Sequence, residues 1–147
     1  MDLTFRTASR RDVTDLFRLN VQLATASPTI TPERLAVVLG KIESYPDYRI
    51  YLVHAGERLV GTFALLIMDT LGDRCAPAGA IEDVVVDRDA RGQGIGREMM
   101  RFAMERCREA GCCKMVLSSN LRREEAHRFY ESLGFEKHGF SFVVTVD

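Results

Sequence analysis

Ile81-Glu82-Asp83-Val84-Val85-Val86-Asp87-Arg88-Asp89-Ala90-Arg91-Gly92-Gln93-Gly94-Ile95-Gly96, continued by an amphipathic run to Gly111, is the stretch from which the rest of the chain is read. The β-branched residues make a strand ending at Asp87, a short polar turn follows, and a loop with Gly92, Gly94 and Gly96 opens into a helix. The first amides of a helix have no intrahelical acceptor and carry the positive end of its dipole, so they suit a phosphate. Glycines without a Cβ let the backbone approach such a ligand closely. Arg91 adds a fixed positive charge at the start of the loop.

Spacing separates the phosphate loops that this stretch could form. A Walker A loop closes on Gly-Lys-Ser/Thr, but Gly96 is followed by Arg97-Glu98. A dinucleotide fingerprint has Gly-x-Gly-x-x-Gly and an acid at the end of the next strand, whereas here the spacing is Gly-x-Gly-x-Gly and that strand runs into Ser118-Ser119-Asn120. A nucleotide-binding domain is therefore a poor fit. The pattern Arg/Gln-x-x-Gly-x-Gly/Ala after a strand is met at every specified position by Arg91 to Gly96. In this the stretch resembles the pyrophosphate loop of the GNAT superfamily of N-acetyltransferases. A second resemblance lies downstream, where Ala126, Phe129, Tyr130, Gly134 and Phe135 match Ala-x-x-Phe-Tyr-x-x-x-Gly-Phe. One position departs: many members carry Asn three residues before the alanine, and this chain has Arg123, with Asn120 three residues earlier. Ile81-Glu82-Asp83, the Pro-x-Tyr at 46 to 48 and the length are also similar to glucosamine-6-phosphate N-acetyltransferases, a likeness that does not name a substrate.

Composition bounds the rest. A chain of 147 residues, 46% hydrophobic and 28% charged, is expected to form one domain over 1–147 with a hydrophobic core. Twenty basic against 21 acidic residues leave a formal charge of −1, so no global field attracts nucleic acid or an anionic membrane. No long apolar span is present, and Met1-Asp2-Leu3-Thr4 enters a strand pattern rather than a signal peptide, so a cytoplasmic location is expected. Cys75, Cys107, Cys112 and Cys113 lack metal-ligand spacing; no metal is expected, and all four read as reduced packing residues.

In chain order, Leu3 to Arg6 alternates as a strand, and Ser9 can cap a helix beginning near Arg11, with Val13, Leu16, Phe17, Asn20, Val21 and Leu23 at helical spacing. Thr31-Pro32-Glu33 reads as N-cap, first-turn proline and first-turn acid of a second helix, whose face is Leu35, Val38, Leu39 and Ile42. Tyr48 to His54 and Leu59 to Met68 make a hairpin about Ala55-Gly56-Glu57-Arg58. Residues 69–78 read as a loop, and the main helix runs from Gly94 to Ala110, with Ile95, Met99, Met100, Ala103, Met104 and Cys107 inward. Lys114 to Leu117 is a short strand parallel to the central one. A helix follows within 121–135 with Ala126, Phe129, Tyr130 and Leu133 on one face, and Lys137 to Val146 reads as one or two strands.

The resemblance implies an α+β (mixed α/β) fold: a mostly antiparallel sheet of about six or seven strands with a splayed parallel pair, flanked by about four helices. It implies acetyl-CoA as cosubstrate. Val84, Val85 and Val86 would lie along the acetyl and pantetheine arm, and Arg91, Gly92, Gln93, Gly94, Ile95 and Gly96 would hold the pyrophosphate. Asn120 is a further candidate for coenzyme contact, and Tyr130 would reach the sulfur. Residues 24–31 become a candidate specificity loop. Dimers are common in the family, although no interface is legible here.

Acetyl transfer to an amine needs a neutral amine, a polarised thioester carbonyl and a proton for the departing thiolate. Glu82 and Asp83 are the base candidates, Glu82 first, and Tyr130 matches the family's acid. The expected activity is direct transfer from acetyl-CoA to a primary amine of a small molecule or peptide in a ternary complex. A non-catalytic acyl-CoA-binding module on the same fold is the alternative. Arg122 and Arg123 either hold an anionic acceptor or are solvated charges at a helix start.

Overall fold

The computed structural model describes residues 1–23 and 26–146. The chain divides into two compact units, Met1–Val116 and Leu117–Asp147.

The first unit is built on a hairpin, β2 (Tyr48–Ala55) and β3 (Arg58–Met68), whose turn places Gly56 at φ +63°, a conformation costly for a residue with a Cβ. β1 (Leu3–Thr7) pairs antiparallel with β2, and β4 (Ala78–Val86) pairs antiparallel with β3. β5 (Lys114–Val116) adds parallel to the start of β4, giving the strand order β1-β2-β3-β4-β5. The mixed sheet and its parallel pair match the expectation, with fewer strands.

Strand periodicity divides the side chains between two helical layers. On one face Leu52, Leu59 and Val85 pack with Leu16 and Leu19 of α1 (Val13–Asn20) and Leu39 of α2 (Pro32–Glu43). On the other, Phe5, Tyr51 and Phe63 gather around Phe102 of α3 (Ile95–Glu109); the Phe5 and Phe102 rings stack at 4.3 Å between centroids. Gly61 lets α3 settle closely, since a Cβ there would lie 2.9 Å from Met99 Sδ. Inward on α3 are Ile95, Met99, Met100, Ala103 and Cys107, as the periodicity predicts, while Met104, also expected there, is half-buried. Thr31 caps α2, its Oγ1 accepting from Arg34 N at 3.1 Å.

Three local readings need correction. Ser9 is an N-cap as expected, but of a 3₁₀ turn at Arg10–Asp12 in which Asp12 accepts from Ser9 N at 2.8 Å and pairs with Arg6 at 2.6 Å; α1 begins only at Val13, Leu19 is buried on it, and Val21, just past its end, is exposed. Of the cysteines only Cys107 is a buried packing residue; Cys75 and Cys113 are exposed, and all four are free. In the second unit α4 (Glu124–Ser132) ends as expected before Gly134 at φ +95°, but Lys137 to Val146 forms no strand among the described residues. Phe140, Phe142, Val144 and Val146 are exposed there. Alternation alone does not make a strand when no second strand in the same unit supplies ladder partners.

Candidate functional site

The strand that carries the acidic pair is interrupted. Across the β3–β4 ladder Ala64 pairs with Glu82 and Thr62 with Val85, so one extra residue of β4 bulges at Asp83. Asp83 takes φ +53°, a left-handed conformation uncommon for a residue with a side chain and frequent at sites of function. Glu82 and Asp83 are both exposed. Desolvation by its surroundings pushes the Asp83 carboxyl above the ordinary carboxylate range, and no charge partner offsets it. Tyr48, edge-on to Tyr45, faces the same charges: burial first, then Asp83 and Glu82, push its phenol up.

Asp83 lines a cavity of about 140 Å³ between the sheet and the α1–α2 layer. Leu16, Leu23, Leu35, Val38, Ile42 and Ile50 supply apolar lining, and β3 from Thr62 to Ala64 closes one side. A second hollow, lined by Phe17, Val21, Ala26, Ser27, Pro28 and Ile30, draws in part of the candidate specificity loop; positions 24 and 25 of that loop lie outside the described residues.

Beyond the bulge, β4 has a free edge. Its parallel ladder with β5 stops at Ala80 opposite Val116, so Ile81–Val86 has no strand partner on that side among the described residues. The ladder ends there because β5 is only three residues long, and this leaves the outward-facing main-chain groups of the Val84–Val86 segment without a strand partner, apart from Val86 O, which accepts from Arg91 Nε.

The same edge leads into the glycine loop. Gly92 and Gly94 stand at φ +78° and +81°, and a Cβ on either would project into open space. Gly94 is the N-cap of α3 and no side chain caps that terminus. The helix therefore presents uncapped amides at Ile95 and Gly96, beside exposed Gln93 and Arg91, the latter anchored by Nε to Val86 O at 3.1 Å. The residues present fit a diphosphate: donors, space and positive charge coincide.

Asp87 is a residue that sequence reasoning passed over. It is 1% exposed and accepts from Arg18 at 2.7 Å, Arg58 at 3.3 Å, Gln22 at 3.4 Å and Asp89 N at 3.3 Å. The Arg18 hydrogen bond above all holds its carboxyl far below the ordinary range. Gln22 also accepts from Arg88 N at 3.0 Å, so Arg18 of α1 and the turn after that helix are both tied to the segment that precedes the glycine loop. An acid closing an apolar strand was the available signal, but its partners lie far away in the chain.

In the second unit, Tyr130 lies on α4 edge-on to Phe129 and Phe135, at 5.3 and 5.5 Å between centroids. Burial pushes its phenol up, against a smaller opposing effect of Arg123. Asn120 Oδ1 accepts from Arg122 N at 2.9 Å, and His127 Nε2 contacts Asn120 O at 2.8 Å. His127 thus braces the turn before α4. Among the described residues no group of His, Cys, Asp and Glu could hold a metal ion, and no helix is long and apolar enough to cross a membrane.

Comparison with known proteins gives the family and the fold. The model of the acetyltransferase (GNAT) family matches residues 15–135. The chain is similar to glucosamine 6-phosphate N-acetyltransferase of Trypanosoma brucei brucei, 30% identical over 138 residues, covering 94% of this chain and 92% of that one. It is 31% identical over 113 residues to the protein of the same name from Arabidopsis thaliana, covering 75% and 74%. The crystal structure of glucosamine-6-phosphate N-acetyltransferase from Arabidopsis thaliana superposes with a TM-score of 0.84 at 27% identity, covering all of both chains.

Proposed function

Because the chain belongs to the GNAT acetyltransferase family, we propose that it moves the acetyl group of acetyl-CoA directly to a primary amine of a small molecule, with both substrates bound together. The observation that carries this reading is the unpaired edge of β4 running from the Asp83 bulge into the uncapped start of α3. An extended thioester arm has main-chain partners along Val84–Val86, and its diphosphate has the amides of Ile95 and Gly96 with Arg91.

Acetyl-CoA supplies an activated acyl group and a thiolate leaving group. The amine nitrogen forms the new C–N bond to the acetyl carbon as the C–S bond breaks; the ammonium gives up two protons, one to base before attack and one as the amide forms, and keeps the third as the amide N–H, while the thiolate gains one to leave as thiol. Asp83 is the better-positioned base, because it borders the cavity and its raised carboxyl is a stronger acceptor than an ordinary one. Glu82, its neighbour, is the second candidate. Tyr130, kept in the neutral form by burial, has a proton to give the thiolate. A main-chain amide of the β4 edge is suited to the carbonyl oxygen as negative charge develops there.

The test is thiol release from acetyl-CoA against a panel of primary amines, beside a thermal shift by acetyl-CoA alone. Turnover with at least one amine and a raised Tm are expected. A raised Tm with no turnover on any amine would leave a binding module instead of an enzyme.

A further inference from the structure

The cavity beneath α1 and α2 says more about the acceptor than the activity does. Its lining is apolar, aliphatic but for Phe63, apart from Asn20, Thr62 and Asp83. Thr62 is already committed, its Oγ1 donating to Tyr51 O at 2.9 Å. Among the described residues no lysine, arginine or histidine lines it. A phosphate wants a guanidinium, an ammonium or a ring of amides, and each sugar hydroxyl buried without a partner is costly. Neither requirement is met within these walls. What they meet is a small hydrocarbon: a dry apolar cavity of about 150 Å³ takes up benzene, and this one is about 140 Å³. Its one charged group is a carboxylate at the rim, complementary to an ammonium.

We propose that the acceptor is a compact apolar primary amine, of the benzylamine or branched-alkylamine class, with its hydrocarbon part in this cavity and its nitrogen at Asp83. The inference rests on the acetyltransferase reading and narrows it. It also separates this chain from the phosphorylated amino sugar named for its relatives. Asn20 adds one amide at the wall, enough to orient the nitrogen and too little to satisfy a polyol.

The experiment compares kcat/KM for benzylamine, isopentylamine, glucosamine and glucosamine 6-phosphate in the wild type and in Val38→Phe, which fills the cavity. The apolar amines are expected to exceed the sugars by about tenfold or more, the scale on which one or two methylenes discriminate. Val38→Phe is expected to raise the benzylamine KM by a similar factor while the KM for acetyl-CoA stays put. If Val38→Phe does not fold, Leu35→Ala asks the same question by enlargement, and preference should move from benzylamine to 3-phenylpropylamine. A preference for glucosamine 6-phosphate, or an amine KM indifferent to the cavity variants, overturns the inference and leaves the enzyme reading standing. If no amine is acetylated, calorimetric binding of benzylamine decides the cavity separately: binding lost in Val38→Phe upholds it, and no binding to the wild type ends it.

Discussion

Asp83 and Asp87 share one stretch of chain and opposite fates. Asp83 sits on a bulge in a left-handed conformation, exposed at the rim of an apolar cavity with no cation paired to it among the described residues. Asp87 closes the same strand fully buried, with two guanidiniums, an amide side chain and a main-chain N–H on its oxygens. One carboxyl is pushed up by loss of water, the other held down by hydrogen bonds. The lesson is that a partner set distinguishes an acid that holds a fold from an acid left free to take a proton. Exposure alone would have assigned them the other way round, since reactive groups are so often sought among buried ones.

Replacing each by its amide separates the roles. Asp83→Asn is expected to lower kcat/KM by about a hundredfold or more, the scale of a lost general base, with the KM for acetyl-CoA unchanged. Its thermal stability should rise slightly, because an ionised carboxylate in a desolvating site costs the fold something that the amide does not. A variant as active as the wild type would transfer the role to Glu82, which Glu82→Gln then tests. Asp87→Asn should do the reverse, costing about 1.5–3 kcal/mol of stability by denaturant titration, the range for hydrogen bonds to a charged group. Its arginine partners are half-exposed and can return to water, which keeps the loss below that of a wholly buried pair.

The pH profile sharpens the contrast. Asp87 and Asp12 titrate lower in the fold than in the unfolded chain, Asp12 moving from 3.8 to about 2. Their stabilisation is complete above the unfolded value and disappears as pH falls through the folded one, so acid unfolding is expected below about pH 4. Asp83 has the opposite sign: its ionised form is the costly one, and that cost vanishes as the pH drops and the carboxyl takes its proton. The Tm advantage of Asp83→Asn should therefore be present at neutral pH and close on acidification. Activity should fall on its acid side at a pH above the ordinary carboxylate range.

These two acids also mark what a linear chain discloses. The glycine loop was legible because its ligand groups are local: Gly92, Gly94 and the first amides of α3 lie within one turn of one another. The Thr31-Pro32 helix start and the hairpin at Gly56 were legible for the same reason. The Asp83 bulge was not, because register belongs to two strands at once and β3 carries half of the information. Nor was the cavity, whose walls come from α1, α2 and three strands. Asp87 appeared only as the end of a strand, since Arg18, Gln22 and Arg58 reach it from other elements. Lys137 to Val146 erred in the opposite direction, a strand pattern without a ladder in its own unit.

The smallest effect asks how the Asp87 cluster divides its strength. Arg18 donates to Asp87 at 2.7 Å and to Leu59 O at 2.8 Å, bridging α1 to both the acid and the start of β3. Arg58 reaches the same Asp87 oxygen at 3.3 Å and Asp89 at 3.9 Å, from a side chain half open to solvent. Arg58→Gln should therefore cost roughly 0.5 kcal/mol or less, as for an exposed ion pair, because Arg18 still neutralises the acid. Arg18→Gln should cost more and move the acid-unfolding midpoint upward, since Asp87 then loses the donor chiefly responsible for its depressed pKa. If the two variants unfold at the same pH and denaturant midpoint, the carboxylate is held by the sum of its surroundings, and the contrast with Asp83 rests on burial instead of on one guanidinium.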